Sequence, residues 1–376
     1  MMNICIVAGA RPNFIKVAPI IHAVKRARQQ GTEVNFQLVY AGVESDPTLE
    51  ESLFSDLQID RPDVFLGVDS KSLNEITGRV MGEFERYLEQ HPTDVVIVVD
   101  DLASTMAAAI VTKKQGIRLA HLVAGTRSFD IKMPKEINRL VIDGLSDLLF
   151  TAGDGASNIA TREGANLSQI YKVGNILMDT LRANRNRWQR PAVADELGLQ
   201  PGKYIVFTLN RKALIADRDN LAAMIGSMVR AAGNTPIVAP LRGPAREALE
   251  SWRQERMAKA ADNSPAPSPQ PLAPLSYLEF GWLTSHAMGI VTDSGNVAEE
   301  ATFNSVPCIT LNSYTEHIET VRVGSNALVG EDPQQLAEAV ADMVGGKWKK
   351  SAIPDRWDGR TADRIVQILL SFNPSA

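Results

Sequence analysis

The sequence predicts an α/β protein made of two doubly wound domains that face each other across a cleft. Short apolar runs alternate with amphipathic helical patterns along nearly the whole chain, which is typical of strand–helix–strand units. The runs lack the apolar–polar alternation of half-exposed strands, and this favours parallel sheets covered on both faces. The pattern pauses after Trp188 and then restarts, and 376 residues are enough for two domain cores.

The amino-acid composition argues against several classes of function. The chain is 44% apolar and 22% charged, as expected of a globular protein, and its 39 basic and 44 acidic residues give a net charge of −5. Without a basic excess we expect no nucleic-acid partner. Cys5 and Cys308 are too few for a disulfide framework or a zinc site, so we expect no metal. No apolar run is long enough for a membrane span and no basic segment precedes the first run, which favours the cytoplasm.

The first domain is predicted from six apolar runs separated by helical patterns, an order that implies a parallel sheet with right-handed crossovers. The predicted strands are Asn3–Ala8, Val34–Val39, Val95–Val99, Leu119–Val123, Leu148–Thr151 and Ile170–Val173. The clearest helix begins at a capping box of Ser72 and Glu75. Its predicted apolar face consists of Leu73, Ile76, Val80, Phe84, Tyr87 and Leu88.

The second domain repeats this arrangement after a hinge within residues 175–200. Its predicted strands are Tyr204–Thr208, Thr235–Ala239, Gly289–Thr292 and Cys308–Leu311. We expect residues 1–175, joined by a C-terminal helix at 360–376, to form the first domain and residues 176–359 the second. Five prolines between Ala261 and Pro274 predict an exposed loop without regular structure.

A ligand cleft is expected at the carboxyl ends of the strands, so the residues that follow each strand are the candidates for a site. Arg11 and Lys16 follow the first strand in the segment GARPNFIK, where a helix amino end and two cations favour a phosphate. The alternative is a basic helix start that only forms salt bridges. The segment is not a GxGxxG fingerprint, which disfavours a nicotinamide cofactor.

The segment DSGNVAEEA follows the third predicted strand of the second domain and opens a helix. Ser294 and Gly295 would present a hydroxyl and backbone N–H groups to a diphosphate. Asp293 and Asn296 flank them. Glu300, on the second helical turn, could accept hydrogen bonds from both hydroxyls of a ribose. The alternative is an ordinary helix cap followed by acidic residues.

Charged residues also follow two strands of the first domain. Asp100 and Asp101 end one strand, and paired acids there are typical of strand ends and active sites because neither tolerates burial without a partner. The segment after the next strand carries four charged residues toward the same edge, namely Arg127, Lys135, Glu136 and Arg139. His121 lies within a strand, which favours a buried, hydrogen-bonded residue over a base. His317 follows a strand, and its context leaves a site role and a structural role equally open.

Taken together, these segments resemble the non-hydrolysing UDP-N-acetylglucosamine 2-epimerase family over nearly the whole chain. Seven family motifs occur in the family's order and spacing. They are G-x-R-P-x-x-x-K, V-x-G-D-T-x-T, H-V-E-A-G-L-R, P-E-E-x-N-R, G-N-x-x-x-D, T-D-S-G-G-x-x-E-E and T-E-R-P-E. The corresponding segments are residues 9–16, 98–105, 121–127, 134–139, 174–179, 292–300 and 315–319.

The resemblance implies two Rossmann-like domains of the glycosyltransferase-B type and a homodimer formed through the N-terminal domain. It implies a UDP-sugar as ligand, UDP-N-acetylglucosamine above all, and inversion at C2 by elimination and re-addition of UDP without a cofactor. Catalytic roles would fall to Asp101, Lys135 and Glu136. Substrate binding would fall to Arg11, Lys16, Arg127, Arg139, Asn210, Arg211, Asp293, Ser294, Gly295, Asn296, Glu300, Glu316 and His317.

Three positions depart from the family pattern where its acid/base groups stand. Val123 replaces the glutamate of H-V-E-A-G, Lys135 the first glutamate of P-E-E, and Asn210 the histidine of a T-G-H-R turn. The segment 40–43 also replaces a regulatory T-G-Q-H turn. Lys135 would act as a base if desolvated, or it would only bind an anionic group. We expect an epimerase; hydrolysis or transfer of a UDP-sugar, and a non-catalytic UDP-sugar-binding protein, are the alternatives.

Overall fold

Strands and helices alternate through both halves of the chain, as the apolar pattern predicts. The computed structural model describes residues 1–259 and 268–372. Within them the strands are β1 (Met2–Ala8), β2 (Val34–Tyr40), β3 (Val64–Phe65), β4 (Val95–Val99), β5 (Arg118–Ala124), β6 (Leu148–Thr151), β7 (Ile170–Lys172), β8 (Ile205–Phe207), β9 (Ile237–Ala239), β10 (Gln270–Pro271), β11 (Gly289–Thr292), β12 (Cys308–Thr310) and β13 (Asn326–Leu328). The helices are α1 (Arg11–Gln29), α2 (Glu51–Leu57), α3 (Leu73–Gln90), α4 (Ala103–Lys114), α5 (Pro134–Leu145), α6 (Asp154–Arg162), α7 (Ile176–Asn184), α8 (Ala192–Glu196), α9 (Lys212–Ala216), α10 (Arg218–Ala232), α11 (Gly243–Lys259), α12 (Tyr277–Ser285), α13 (Gly295–Asn304), α14 (Glu319–Arg322), α15 (Pro333–Val344) and α16 (Thr361–Ser371). In the same residues, no helix combines the length and the apolar content that a membrane span requires.

The chain divides into two units after Asn184. The first consists of Met1–Asn184 and the segment that begins at Asp355, and the second is Arg185–Pro354. The first unit extends past residue 175 because α7 packs against both α1 and α16. Asp179 on α7 fixes this junction, since its carboxylate accepts hydrogen bonds from two backbone N–H groups at the start of α16.

The first unit is built on a parallel sheet of seven strands in the order β3-β2-β1-β4-β5-β6-β7. Strand β1 lies between β2 and β4, so the strand order reverses there, as at the switch point of a doubly wound sheet. Strand β4 has the sequence VVIVV and is buried along its whole length, as a central parallel strand should be. The turns after β1, β4 and β5 therefore open along one edge of this sheet.

Helix α3 corrects two details of the sequence analysis. Its buried residues are Val80, Phe84, Tyr87 and Leu88. Leu73, which was predicted for the apolar face, is 50% exposed because it occupies the first position of the helix. The capping box is only half formed. The Ser72 hydroxyl accepts a hydrogen bond from the Glu75 N–H, whereas the Glu75 carboxylate accepts one from Ser70.

The second unit contains a parallel sheet of six strands in the order β10-β9-β8-β11-β12-β13. Strand β11 lies between β8 and β12, so the switch point of this sheet falls between β8 and β11. The turns that follow these two strands carry residues 208–211 and 293–296. Strands β3, β10 and β13 escape the sequence analysis because two or three residues are too few to show a periodicity.

The segment between Ala261 and Pro274, predicted to be irregular, lies partly outside the described residues, which exclude 260–267. In the remainder, the prediction is wrong for Gln270–Pro271, which form strand β10. This strand pairs with β9 alone and ends the sheet. An edge position tolerates proline because no N–H group is needed on the open side.

Candidate functional site

Asp101 lies at the carboxyl end of β4, where its buried carboxylate contacts two cations of α5. The Arg139 Nε and Nη2 atoms lie 2.8 and 2.6 Å from Oδ2, and the Lys135 Nζ lies 3.3 Å from Oδ1. Lys135 and Arg139 are four residues apart and therefore share a helix face. Burial raises the pKa of Asp101, but these two charges outweigh it and hold the pKa below its usual value. Asp101 is therefore ionised at neutral pH.

The Glu136 carboxylate holds the loop that precedes α5. It accepts hydrogen bonds from the N–H and the hydroxyl of Ser128 and from the N–H of Phe129, each at 2.9 Å. Arg139 Nη1 lies 3.2 Å away. Burial favours a higher pKa for Glu136, but these donors outweigh it, so the pKa lies below its usual value. The geometry gives Glu136 the part of a loop anchor beside Asp101.

The start of α1 is connected to the turn after β4 by a partly buried ion pair between Lys16 and Asp100. Asn13 strengthens the connection, since its Nδ2 donates to Asp100 at 2.8 Å and its Oδ1 accepts from the N–H groups of residues 9 and 10. Asp100 has a φ of +57°, so it turns the chain sharply just before Asp101. Arg11 lies half-buried on the first turn of α1, at the same edge.

Val123 occupies a strained position at the end of β5. The register of β5 with β6 shifts at this residue, and its φ is +71°, a conformation that β-branched residues avoid. Such backbone strain costs on the order of 1–3 kcal/mol and is common at functional sites. Gly125, two residues on, has a φ of +75°, and a Cβ there would lie 2.3 Å from the Ala156 carbonyl oxygen. The β5 turn therefore has a tightly specified shape.

Arg127 does not join the residues around Asp101. Its Nη1 lies 2.8 Å from Asp143 Oδ2, and its other nitrogens bind the carboxylate of Glu163. Asp143 also contacts His121, whose Nδ1 lies 2.6 Å from Oδ1. Of the four charged residues predicted to point to this edge, Lys135 and Arg139 contact Asp101, and Glu136 contacts Arg139. Arg127 belongs to a separate buried network.

The amino end of α13, in the second unit, is open and only weakly capped. Ser294 caps the helix weakly, accepting from the Val297 N–H at 3.5 Å, and its own N–H donates to the Thr292 hydroxyl at 3.0 Å. A Cβ on Gly295 would have a single neighbouring atom, Glu299 Oε1, at 4.0 Å. The space beside Gly295 and the half-buried Asn296 is therefore available to a ligand at the positive end of a helix.

Asp293 connects the turn after β11 to the turn after β8. Its Oδ2 accepts hydrogen bonds from the backbone N–H groups of Asn210 and Arg211. The Arg211 guanidinium forms an ion pair with Glu331 and donates to the Leu311 carbonyl at 2.9 Å. These bonds leave the Asn210 side chain exposed at the same end of the sheet.

Glu300 is a buried carboxyl group on α13. Among the described residues no side chain or backbone group forms a hydrogen bond with it. Desolvation, with the adjacent charge of Glu299, raises its pKa to about 8. The Oε1 atom of the neighbouring Glu299 lies 3.6 Å from His317 Nε2. Glu316, which precedes His317 in the sequence, is half-buried. Glu300 therefore offers two acceptor oxygens to a ligand that brings its own donors.

Two residues that matter for this geometry were missed in the sequence analysis. Asn13 lies inside the GARPNFIK segment, in which only Arg11 and Lys16 were considered as candidates. Asp143 lies four residues after Arg139 and seven after Glu136, so it shares their buried face of α5. Its position could have been noticed from the sequence, because a charged residue on the inner face of an amphipathic helix needs a buried partner.

The chain matches known proteins over nearly its whole length. A family model named UDP-N-acetylglucosamine 2-epimerase matches residues 26–370. A UDP-N-acetylglucosamine 2-epimerase homolog of Methanococcus maripaludis is 34% identical to this chain, over 90% of this chain and 92% of that protein. The UDP-N-acetylglucosamine 2-epimerase of Methanocaldococcus jannaschii is 32% identical, over 98% of this chain and 99% of that protein.

A solved structure extends the agreement to the fold. The crystal structure of the Methanocaldococcus jannaschii UDP-GlcNAc 2-epimerase in complex with UDP-GlcNAc and UDP matches with a TM-score of 0.83 and 31% identity. The match covers 98% of this chain and 100% of that chain. The predicted fold class, with two Rossmann-like domains, is thereby confirmed. By its family model, its relatives and its fold, the chain belongs to the UDP-N-acetylglucosamine 2-epimerase family.

Proposed function

We propose that this chain inverts C2 of a UDP-linked 2-acetamido sugar, with UDP-N-acetylglucosamine as the substrate, and that it uses no cofactor. The observation that carries the proposal is helix α13, which combines an open amino end with the buried carboxyl of Glu300 on its second turn. The two hydroxyls of a ribose would donate hydrogen bonds to the Glu300 carboxyl, and a diphosphate would bring negative charge to the amino end of α13. Family membership does not favour the alternatives of hydrolysis, transfer or binding without turnover.

The nucleotide is assigned to the second unit. We assign the ribose hydroxyls to Glu300 and the diphosphate to the N–H groups and hydroxyl of Ser294 and Gly295, with Asn296 beside them. Asp293 would position the Asn210–Arg211 turn through its two backbone hydrogen bonds. Further contacts to the nucleotide sugar are assigned to Arg11, Lys16, Arg139, Glu316 and His317, of which Lys16 and Arg139 already have carboxylate partners. Arg127, which the sequence analysis also placed among these contacts, is buried against Asp143 and Glu163 and is not assigned one.

The acid/base step is assigned to the first unit. In the proposed reaction Asp101 accepts the C2 proton while the bond between C1 and the UDP oxygen breaks, which yields a 2-acetamidoglycal and UDP. UDP then re-adds at C1 as a proton returns to the opposite face of C2. We assign this second proton to Lys135, whose side chain is 57% exposed and must leave its 3.3 Å contact with Asp101 to reach the opposite face. After the turnover Asp101 gives its proton to the solvent and Lys135 regains one from it. Glu136 would position both residues by fixing the loop before α5.

We also propose a cytoplasmic homodimer. Both cysteines are buried thiols, as is common in a reducing compartment. The first unit exposes four large apolar side chains within one short stretch, Phe129, Ile131, Ile137 and Leu140, and apolar clusters of this kind are common where subunits meet. Light scattering tests the dimer, and a monomeric mass at micromolar concentration would contradict it.

The direct test of the activity is a ¹H NMR time course of UDP-N-acetylglucosamine with the purified chain. We expect the anomeric signal of the manno epimer to grow until the two sugars reach equilibrium. Free UDP with a reducing sugar would instead indicate hydrolysis. Unchanged substrate, with line broadening that proves binding, would contradict the proposed turnover.

A further inference from the structure

We propose that His121 is a buried imidazolium that positions the Asp100–Asp101 turn for catalysis. The His121 side chain is 1% exposed and lies between two acceptors. Its Nδ1 is 2.6 Å from Asp143 Oδ1, and its Nε2 is 2.9 Å from the Asp100 carbonyl oxygen. The effect on catalysis rests on the proposed function, whereas the protonation state does not.

The two neighbours of the ring decide where its protons are. A carbonyl oxygen only accepts hydrogen bonds, so Nε2 must carry a proton toward Asp100. The other oxygen of Asp143 receives the Arg127 guanidinium and the Gly125 N–H, at 2.8 and 3.0 Å, which keeps this carboxylate ionised. Asp143 Oδ1 is therefore an acceptor as well, and Nδ1 must also donate. A neutral ring would direct a lone pair at one of two buried oxygens.

The number of charged groups around the ring is compatible with a doubly protonated ring. Around His121, the cation Arg127 contacts two anions, Asp143 and Glu163. The Asp100 carboxylate on the other side is already paired with Lys16. A charged His121 brings the first group to two cations and two anions, whereas a neutral ring would leave a net negative charge shared by the buried Asp143 and the solvent-exposed Glu163.

The hydrogen bond to Asp100 connects this network to the proposed catalytic residue. Asp100 has a φ of +57°, a conformation that needs support in a residue other than glycine. The His121 ring holds the Asp100 carbonyl group. Asn138 holds the following carbonyl group, since its Nδ2 donates to the Asp101 carbonyl oxygen at 2.8 Å. Both ends of the Asp101 peptide are thus held, so the carboxylate has a defined position. His121 acts through Asp101 and is a positioning residue.

The protonation state is tested by two-bond ¹H–¹⁵N NMR on the protein labelled in its five histidines. The His121 signals are assigned by their loss in the His121→Phe variant. At pH 7.5 we expect both of its nitrogens at protonated chemical shifts. An unprotonated Nδ1 or Nε2 at this pH would overturn the inference, whether or not the protein turns over a UDP-sugar.

The positioning role is tested by comparing His121→Phe with Asp143→Asn. The asparagine keeps the size of Asp143 and can donate to Nδ1, and the His121 Nε2–H still donates to the Asp100 carbonyl oxygen, although Arg127 loses an ionic partner. We therefore expect Asp143→Asn to keep kcat near that of the unaltered chain despite a lower melting temperature. For His121→Phe we expect kcat to fall by about tenfold or more with little change in KM. If the loss of kcat in the two variants is instead proportional to their loss of melting temperature, His121 has only a structural role.

Discussion

The carboxylate of Asp101 and the guanidinium of Arg139 form a buried ion pair at the carboxyl end of β4. The two nearest contacts are 2.6 and 2.8 Å long, and the Arg139 side chain is only 3% exposed. Because the same guanidinium also reaches Glu136, one arginine connects the strand end to the anchor of the neighbouring loop. The pair keeps Asp101 ionised and in place, which its proposed part in proton transfer requires.

Replacing Asp101 with asparagine should abolish turnover while leaving nucleotide affinity nearly unchanged. The amide keeps the size of the side chain but cannot accept the C2 proton, and general-base catalysis contributes about 10²–10⁴-fold in rate. The ¹H NMR assay measures kcat and calorimetry measures UDP affinity. Asp130→Asn, an exposed change in the nearby loop, is the control. Retained activity in Asp101→Asn would remove Asp101 from the mechanism.

Lys135 should be needed for turnover more than for binding. Lys135→Gln removes the proposed proton donor, and kcat should fall by about 10²-fold or more. The matched control is Lys132→Gln, which neutralises an exposed lysine of the same segment. Equal kcat values for the two variants would show that Lys135 takes no part in the chemistry. A raised KM with unchanged kcat would show that it only binds an anionic group.

Glu300 should make the stability of the unliganded protein depend on pH. Its pKa is raised from 4.5 to about 8 on folding, so its protonated form is favoured in the folded state. The stabilisation is complete below pH 4.5 and is lost as the pH rises through 8. Glu300→Gln, which cannot ionise, should therefore be the more stable protein at pH 8, by on the order of 1–3 kcal/mol. Denaturant unfolding at pH 5 and pH 8 measures the difference, and a constant difference would contradict it.

The same group should couple UDP binding to proton release. Two ribose hydroxyls donate best to an ionised carboxylate, so UDP should lower the pKa of Glu300 and bind more tightly as the pH approaches 8. Calorimetry in buffers of different ionisation enthalpy measures the protons released near pH 7. Glu300→Gln should bind UDP more weakly and release fewer protons. Equal proton release from both proteins would contradict the ribose assignment.

Gly125→Ala should destabilise the first unit far more than an alanine at another glycine with positive φ. The new Cβ would lie 2.3 Å from the Ala156 carbonyl, a backbone atom that cannot rotate away. We expect a loss of about 3 kcal/mol or more, from strain and overpacking together. Gly31→Ala is the matched control, since its φ is +91° but its Cβ would meet no atom within 4 Å. Equal losses would show that φ alone explains the glycine at position 125.

Most of the fold could be predicted from the sequence because central parallel strands are buried on both faces. The bounds predicted for Val95–Val99, Leu148–Thr151 and Gly289–Thr292 are those observed. Strands at or near the sheet edges were lost because they are short and carry no apolar run. Gln270–Pro271 is such a case, since its proline favours an irregular segment and only the sheet edge permits the strand.

The turns that carry the candidate site residues could be predicted from the sequence, whereas the partners of their side chains could not. Helical spacing brings Lys135 and Arg139 to one face of α5, and the strand end brings Asp101 to them. Spacing could not tell that Arg127 turns to Asp143, or that Lys16 binds Asp100. Those pairings depend on rotamers and on contacts between residues far apart in sequence, which a single sequence does not specify.

The measurement that tests the central claim most directly is solvent exchange at C2 of the sugar. UDP-N-acetylglucosamine is incubated with the protein in deuterated buffer, and the C2 proton is followed by NMR. If the chain inverts C2 through a glycal, deuterium appears at C2 of the manno epimer and then of the starting sugar. Turnover to any product that retains the C2 proton, or a bound substrate that never exchanges it, would contradict the account.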